Sequence, residues 1–199
     1  KRAALPRFKT RHDRQSFRVP QAFRVEVDSH GRVRLVIPKT APLKLVVHRP
    51  IEGAMKHVTI SKTKSGRYFA SILYDVEIPE PARVPGALWA GRGGVVGIDL
   101  GLKDFIVTSD GNREPAPQYL RQAEKRLKRL ARRVSRRHKD SKGRAKARHD
   151  LARQHEKVAN QRTDFLHKLS RRLVDENQVI AVESLHVKGM VRNRHLAKS

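Results

Sequence analysis

The chain has 199 residues, with 45 Lys and Arg against 19 Asp and Glu, for a formal net charge of +26. Self-repulsion of that size is matched to a polyanion, nucleic acid first and an anionic membrane surface second. No apolar run approaches the ~18–20 residues of a membrane helix and no signal segment is seen, so neither spanning nor secretion is expected, while zero cysteines exclude disulfides and thiolate metal sites within these residues.

Residues 1–20 are basic and broken by Pro6, too irregular to form an element. From Phe17 to Glu77 short β-rich runs follow one another. Phe23–Val27 and Arg32–Ile37 alternate apolar and polar residues across Asp28-Ser29-His30-Gly31, which predicts a hairpin. Leu43–Val47 predicts a third strand, and Met55–Ile60 and Tyr68–Tyr74 flank Lys64-Ser65-Gly66 as a second hairpin. Five or so strands of this kind predict a small antiparallel barrel or sandwich. Pro79, Pro81, Pro85 and the glycines at 86, 91, 93 and 94 mark a linker over 79–93, in which Trp89 reads as a packing anchor.

Val95-Val96-Gly97-Ile98-Asp99 is an apolar run ending in an acid, followed by a strand at Phe105–Thr108 and the turn Ser109-Asp110-Gly111. Past Pro117 the period becomes helical, with Leu120, Ala123, Leu127, Leu130 (or Ala131) and Val134 at three- and four-residue steps. Asp140-Ser141-Lys142-Gly143 breaks the pattern. Leu151, Val158, Phe165, Leu169 and Leu173 then mark a second helix of about 30 residues, completing a helical hairpin over 117–175. Val179-Ile180-Ala181-Val182-Glu183 is a second apolar run ending in an acid, and Met190–Ser199 is helical or unfinished.

Asp99 and Glu183 are the sharpest feature. Each ends a run that only a strand covered on both faces would tolerate. If the two strands are neighbours, both carboxylates reach one sheet edge, where open α/β sheets build sites. Close carboxylates raise one another's pKa unless a cation lies between them, and oxygen ligands beside a phosphate substrate favour Mg²⁺ or Mn²⁺. Two such ions ~3.5–4 Å apart can activate water and stabilise the leaving oxygen of a phosphodiester. The ten histidines are scattered, and His149 and His155 are off the i,i+4 register, so no histidine metal site is expected.

The positive charge is concentrated. Residues 121–148 carry 14 Lys and Arg against Glu124 and Asp140 alone. With Leu120, Leu127 and Val134 packed inward, the basic faces of the hairpin are free to follow a phosphate backbone. The candidates for nucleic-acid contact are Lys103, Lys125, Arg129, Arg132, Arg133, Arg136, Arg137, Lys142, Arg144, Lys146, Arg192 and Arg194. Arg18, Arg24, Arg32, Arg34, Lys44, Lys56, Lys62, Lys64 and Arg67, on or beside the N-terminal strands, could hold RNA phosphates, with a solvated sheet face as the alternative. Aromatic residues are only 5% of the chain, which favours reading a duplex by its backbone and shape over base stacking.

Gly97-Ile98-Asp99-Leu100-Gly101-Leu102-Lys103 resembles the first nuclease motif of the TnpB (OrfB-type) transposon-encoded proteins. Val182-Glu183-Ser184-Leu185, with Met190, Arg192, Asn193, Arg194, Leu196 and Ala197, resembles the second. Asp164–Leu169 and Leu5-Pro6-Arg7-Phe8 are also similar to that family, and the likeness runs over essentially the whole chain. Its members are RNA-guided DNA endonucleases related to compact type V CRISPR effectors. The resemblance implies an α+β and α/β chain: part of a wedge-type, oligonucleotide-binding antiparallel β-barrel over 1–78, then a RuvC-like, RNase H-fold domain over 94–199 with the helical hairpin inserted. It further implies Asp99 and Glu183 as metal-binding catalytic carboxylates, Mg²⁺ or Mn²⁺ as cofactor, guide RNA from the transposon end and target DNA as partners, and a cytoplasmic, nucleoid-associated location. The family's third aspartate and its zinc ribbon lie downstream, so zinc is expected only there. Asp104 and Asp110 do not stand where the third motif should. The chain starts without Met, and the expectation is of a piece of a longer protein, weak or inactive in cleavage alone. The lack of cysteine then reflects the missing ribbon rather than a redox compartment. The alternatives are a nuclease-dead protein that binds RNA-guided without cutting, and an unguided RuvC-like nuclease.

Overall fold

The computed structural model describes residue 10 and residues 15–77 and 94–192. Residues 1–9, with Leu5–Phe8, and 11–14 of the opening stretch, the linker 79–93 with Trp89, and Asn193, Arg194, Leu196 and Ala197 lie outside the described residues; the end of the opening stretch, expected to form no element, is the strand Gln15–Val19, held by its ladder to Ala54–Lys62. The chain divides into two compact units, Lys1–Glu80 and Pro81–Ser199.

The first unit contains β1 (Gln15–Val19), β2 (Arg24–Val27), β3 (Val33–Val36), β4 (Leu43–Lys44), β5 (Ala54–Lys62) and β6 (Tyr68–Asp75). The β2–β3 hairpin forms as its turn chemistry dictates. Asp28 Oδ1 accepts from the backbone N–H of His30 at 3.0 Å and of Arg32 at 2.8 Å, while Gly31 takes φ +73°. These strands make two three-stranded antiparallel sheets, β1-β5-β6 and β2-β3-β4. Leu35 and Ile37 from one sheet side and Val58 and Ile60 from the other form a shared buried core. No ladder joins the two sheets among the described residues, so the barrel that the resemblance implied is corrected to two sheets packed over a common core, the arrangement of the sandwich alternative. The reason lies in residues 38–53. Pro38, Pro42 and Pro50 remove ladder donors there, and the third predicted strand shrinks to Leu43–Lys44, too short to carry a continuous ladder around a barrel.

The second unit contains β7 (Val95–Asp99), β8 (Asp104–Thr108), β9 (Arg113–Pro115), α1 (Tyr119–Ser135), α2 (Lys142–Glu176), β10 (Val179–Val182) and α3 (Val187–Arg192). The strand order is β10-β7-β8-β9; β10 runs parallel to β7 and the remaining pairs are antiparallel. A parallel neighbour requires a long crossover, and α1 and α2 supply it.

Asp140 turns the chain with φ +62°, and the Ser141 side chain caps α2 by accepting from the Arg144 N–H at 3.1 Å. The 35 residues of α2 make a helix about 52 Å long, enough to serve two packing surfaces. Its N-terminal part buries Ala147, Gln154 and Val158, and Leu127 is buried on α1. Its C-terminal part places Leu169, with Phe165 and Leu173, against Val96, Ile98 and Ile106 of the sheet. Phe165 meets Phe105 edge-on at 5.4 Å and Tyr119 at 6.4 Å, anchoring the start of α1 and β8 to the same helix. The apolar stripe of α1 differs from expectation at its first member: Leu120 is 49% exposed, while Ala123, Leu130 and Val134 are half-buried. Leu120 belongs to the first turn, ahead of the segment that packs on α2.

Candidate catalytic edge and nucleic-acid interface

Along β7 the side chains alternate. Val96 and Ile98 are buried against α2, and Val95 and Asp99 are exposed. The β10–β7 register pairs Ile180 with Val96 and Val182 with Ile98. Glu183 follows Val182 as Asp99 follows Ile98, so continuing the parallel register sets the two acids at the same level on adjacent strands. Both are exposed, and both stand at the carboxyl ends of their strands. The apolar runs thus serve a one-sided sheet packed on α2, and the acids sit where that packing ends.

The backbone after Asp99 is tightly constrained. A Cβ on Gly101 would come within 2.7 Å of the Asp104 carbonyl oxygen, so only glycine lets the β7–β8 loop close this near the acid. The other acids of this unit have different partners. Asp104 pairs with Arg113 at 3.4 Å, and Glu114 accepts from Arg172 at 2.6 Å, tying β9 to α2 and raising the guanidinium pKa. Asp110 lies in the turn after β8. Among the described residues no group of three or more His, Cys, Asp or Glu could hold a metal ion. Asp99 and Glu183 offer oxygen donors of the type a hard divalent cation takes, on neighbouring strand ends.

The predicted basic residues separate into two roles. Lys125, Lys128, Arg129, Arg132, Arg133, Arg136 and Arg137 line an open groove of about 700 Å³ along α1, and Lys128 is the member that sequence reasoning missed. Lys125, Arg129 and Arg132, with Arg136 at the C-cap, recur at three- and four-residue steps opposite Leu127, a stripe about 16 Å long. Arg133 and Arg144 instead hold the hairpin together. Arg133 pairs with Asp150 at 3.3 Å, and Arg144 Nη1 donates to the Arg137 carbonyl at 3.0 Å. Lys128 pairs with Glu124 at 2.8 Å within the helix. Lys103, Lys142 and Lys146 are exposed, as is Arg192 at the end of α3; Arg194 lies outside the described residues.

The basic residues of the first unit are largely engaged with neighbours. Arg24 pairs with Glu26, Arg34 with Asp28 at 3.2 Å and Lys56 with Asp75 at 2.7 Å. Arg18 lies 3.0 Å from His57 Nδ1, Lys62 lies over the Tyr68 ring at 5.2 Å, and Arg67 over Phe69 at 5.8 Å.

Residues 71–194 match the OrfB_IS605 family, described as "Probable transposase". The chain belongs to the OrfB_IS605 family. Three similar proteins frame that membership. A Streptomyces pristinaespiralis protein named "Putative RNA-guided DNA endonuclease" is 36% identical over 203 residues, covering 100% of this chain and 48% of its own length. "Putative RNA-guided DNA endonuclease InsQ" of Escherichia coli (strain K12) is 31% identical over 193 residues, covering 97% of this chain and 45% of its own length. "Putative RNA-guided DNA endonuclease Rv2885c" of Mycobacterium tuberculosis (strain ATCC 25618 / H37Rv) is 32% identical over 211 residues, covering 98% and 44%. The chain therefore spans about half the length of the curated relatives it matches. The OrfB_IS605 match covers β7 through α3, so both acid-ended strands and the basic hairpin fall inside the family's own region. No helix among the described residues is long and apolar enough to cross a membrane.

Proposed function

We propose that this chain is the part of a transposon's RNA-guided DNA endonuclease that carries the first two carboxylates of a RuvC-like site. The observation that carries the reading is the parallel pairing of Val182 with Ile98, which sets Glu183 level with Asp99. A sheet whose first strand gains a parallel neighbour through a helical crossover supports an RNase H-like nuclease fold for residues 94–199. Asp99 and Glu183 would hold Mg²⁺ or Mn²⁺. Bound there, a divalent cation supplies a nucleophile at neutral pH and charge stabilisation at the phosphodiester.

The chain's own residues do the remaining work. The α2 helix packs with Val96, Ile98 and Ile180 just ahead of the two acids, Gly101 admits the close Asp104 carbonyl in the loop that follows Asp99, and the α1 groove attracts phosphates. Its partners in this reading are a guide RNA from the transposon end and target DNA, with base pairing reading the sequence and the protein reading the backbone. The relatives' printed names support both partners.

The test is purification of the complete protein from cells carrying the transposon end. A discrete RNA that survives a high-salt wash and directs Mg²⁺-dependent cleavage of a matching plasmid is the expected result. Cleavage independent of RNA would replace this reading with an unguided nuclease, and RNA-directed binding without cleavage would replace it with a binding module.

A further inference from the structure

In an antiparallel ladder, alternate residue pairs exchange two backbone hydrogen bonds. The β7–β8 ladder pairs Ile98 with Thr108 and Asp99 with Val107. One step further, Gly97 and Ser109 should exchange both of theirs, and only one is made by the backbone: the Ser109 N–H donates to the Gly97 carbonyl at 2.9 Å. The other comes from a side chain. The Gly97 N–H donates to Ser109 Oγ at 3.1 Å.

The cause is the turn that starts at Ser109. The Thr108 N–H donates to the Asn112 carbonyl at 2.9 Å, the Gly111 N–H donates to the Thr108 carbonyl at 2.9 Å, and Gly111 takes φ +82°. The chain is turning from β8 into β9 here, and the hydroxyl makes the bond that the Ser109 carbonyl would otherwise make. A Cβ at Gly97 would sit 3.6 Å from the Ser109 Cβ, so the two residues are in direct contact.

Gly97 is two residues before Asp99, and Gly101, two residues after it, donates its N–H to the Phe105 carbonyl at 3.4 Å. We propose that Ser109 is a positioning residue: its hydroxyl pins β7 on one side of Asp99 as Gly101 does on the other, so that the carboxylate is held by backbone clamps at both flanks. In catalytic terms this inference rests on the nuclease reading above, because only there does the placement of Asp99 set a rate. As a structural statement it stands independently of that reading.

Two measurements separate these levels. Amide hydrogen exchange on this chain should show the Gly97 N–H exchanging about two- to tenfold faster in Ser109→Ala, the loss of one net hydrogen bond, with Leu169 on α2 unchanged. Ser109→Thr, which keeps the hydroxyl, should retain the protection. Equal exchange at Gly97 in wild type and Ser109→Ala would overturn the clamp. In the complete protein with its RNA, Ser109→Ala should cut target plasmid about tenfold more slowly while RNA-directed DNA binding stays at the wild-type level, and Ser109→Thr should restore cutting. A merely structural role would reduce binding and cutting together, and that result would overturn the positioning role. Failure of the wild-type protein to cut would sink the nuclease reading, leaving the exchange experiment to decide the clamp.

Discussion

Val182 and Ile98 are register partners in a parallel ladder, and the residue after each is an acid. A one-residue slip of β10 would move Glu183 to the other sheet face and expose Ile180, which packs against the buried cluster of Val96 and Ile98. The hydrophobic pattern therefore fixes the relative level of the two carboxylates.

That pattern depends on α2. Leu169 is buried beneath the sheet with Val96, Ile98 and Ile106. Leu169→Ala should destabilise the second unit by about 2–5 kcal/mol, through lost burial and the cavity left behind. Thermal or denaturant unfolding measures it. Leu166→Ala, three residues earlier but 47% exposed, should cost far less.

The α1 groove should behave as an electrostatic track with unequal members. Arg129→Ala, Arg132→Ala and Arg136→Ala should each weaken duplex binding without sequence preference and lower the slope of log K against log salt by about 0.9. Arg133 is committed to Asp150 at 3.3 Å, so Arg133→Ala should change the salt slope less and loosen the hairpin slightly, by about 0–1 kcal/mol. Salt titrations of the four variants distinguish the two roles.

Much of this unit was legible in the sequence, because two apolar runs ending in acids and a three-four helical stripe are strong periodic signals. What escaped has physical reasons. Arg113-Glu114-Pro115 forms β9 with no apolar run, held by its ladder to β8 and by the Glu114–Arg172 pair 58 residues apart. Arg133 looks as free as Arg129 until Asp150, seventeen residues on, is brought across the hairpin. The Ser109–Gly97 bond joins a side chain to the backbone, which no periodicity encodes. In the first unit the two hairpins were readable, but the strand Gln15–Val19 escaped because it is set by its ladder to Ala54–Lys62, and whether the sheets close depends on ladders between distant segments, which the prolines of residues 38–53 decide against.

The β2–β3 hairpin should carry an acid-sensitive contribution to stability. Backbone donation by Arg32, with His30 and the Arg34 guanidinium adding to it, holds the Asp28 carboxyl below its ordinary value of 3.8. A carboxylate lowered in the folded state stabilises above its unfolded pKa, and that contribution is lost as pH falls through the folded value, here below pH 3.8. An NMR titration should give Asp28 a midpoint below that of an unstructured aspartate, and Asp28→Asn should flatten the acid dependence of the hairpin's exchange protection.

Asp99 and Glu183 are proposed to form one metal-holding site, and the most direct measurement compares cutting with binding. In the complete protein with its RNA and Mg²⁺, Asp99→Ala and Glu183→Ala should each reduce plasmid cleavage by about 100-fold or more, with RNA-directed target binding retained. Both acids are exposed, so folding stability should change by only about 0.5 kcal/mol. Cleavage at the wild-type rate in either variant would contradict the account.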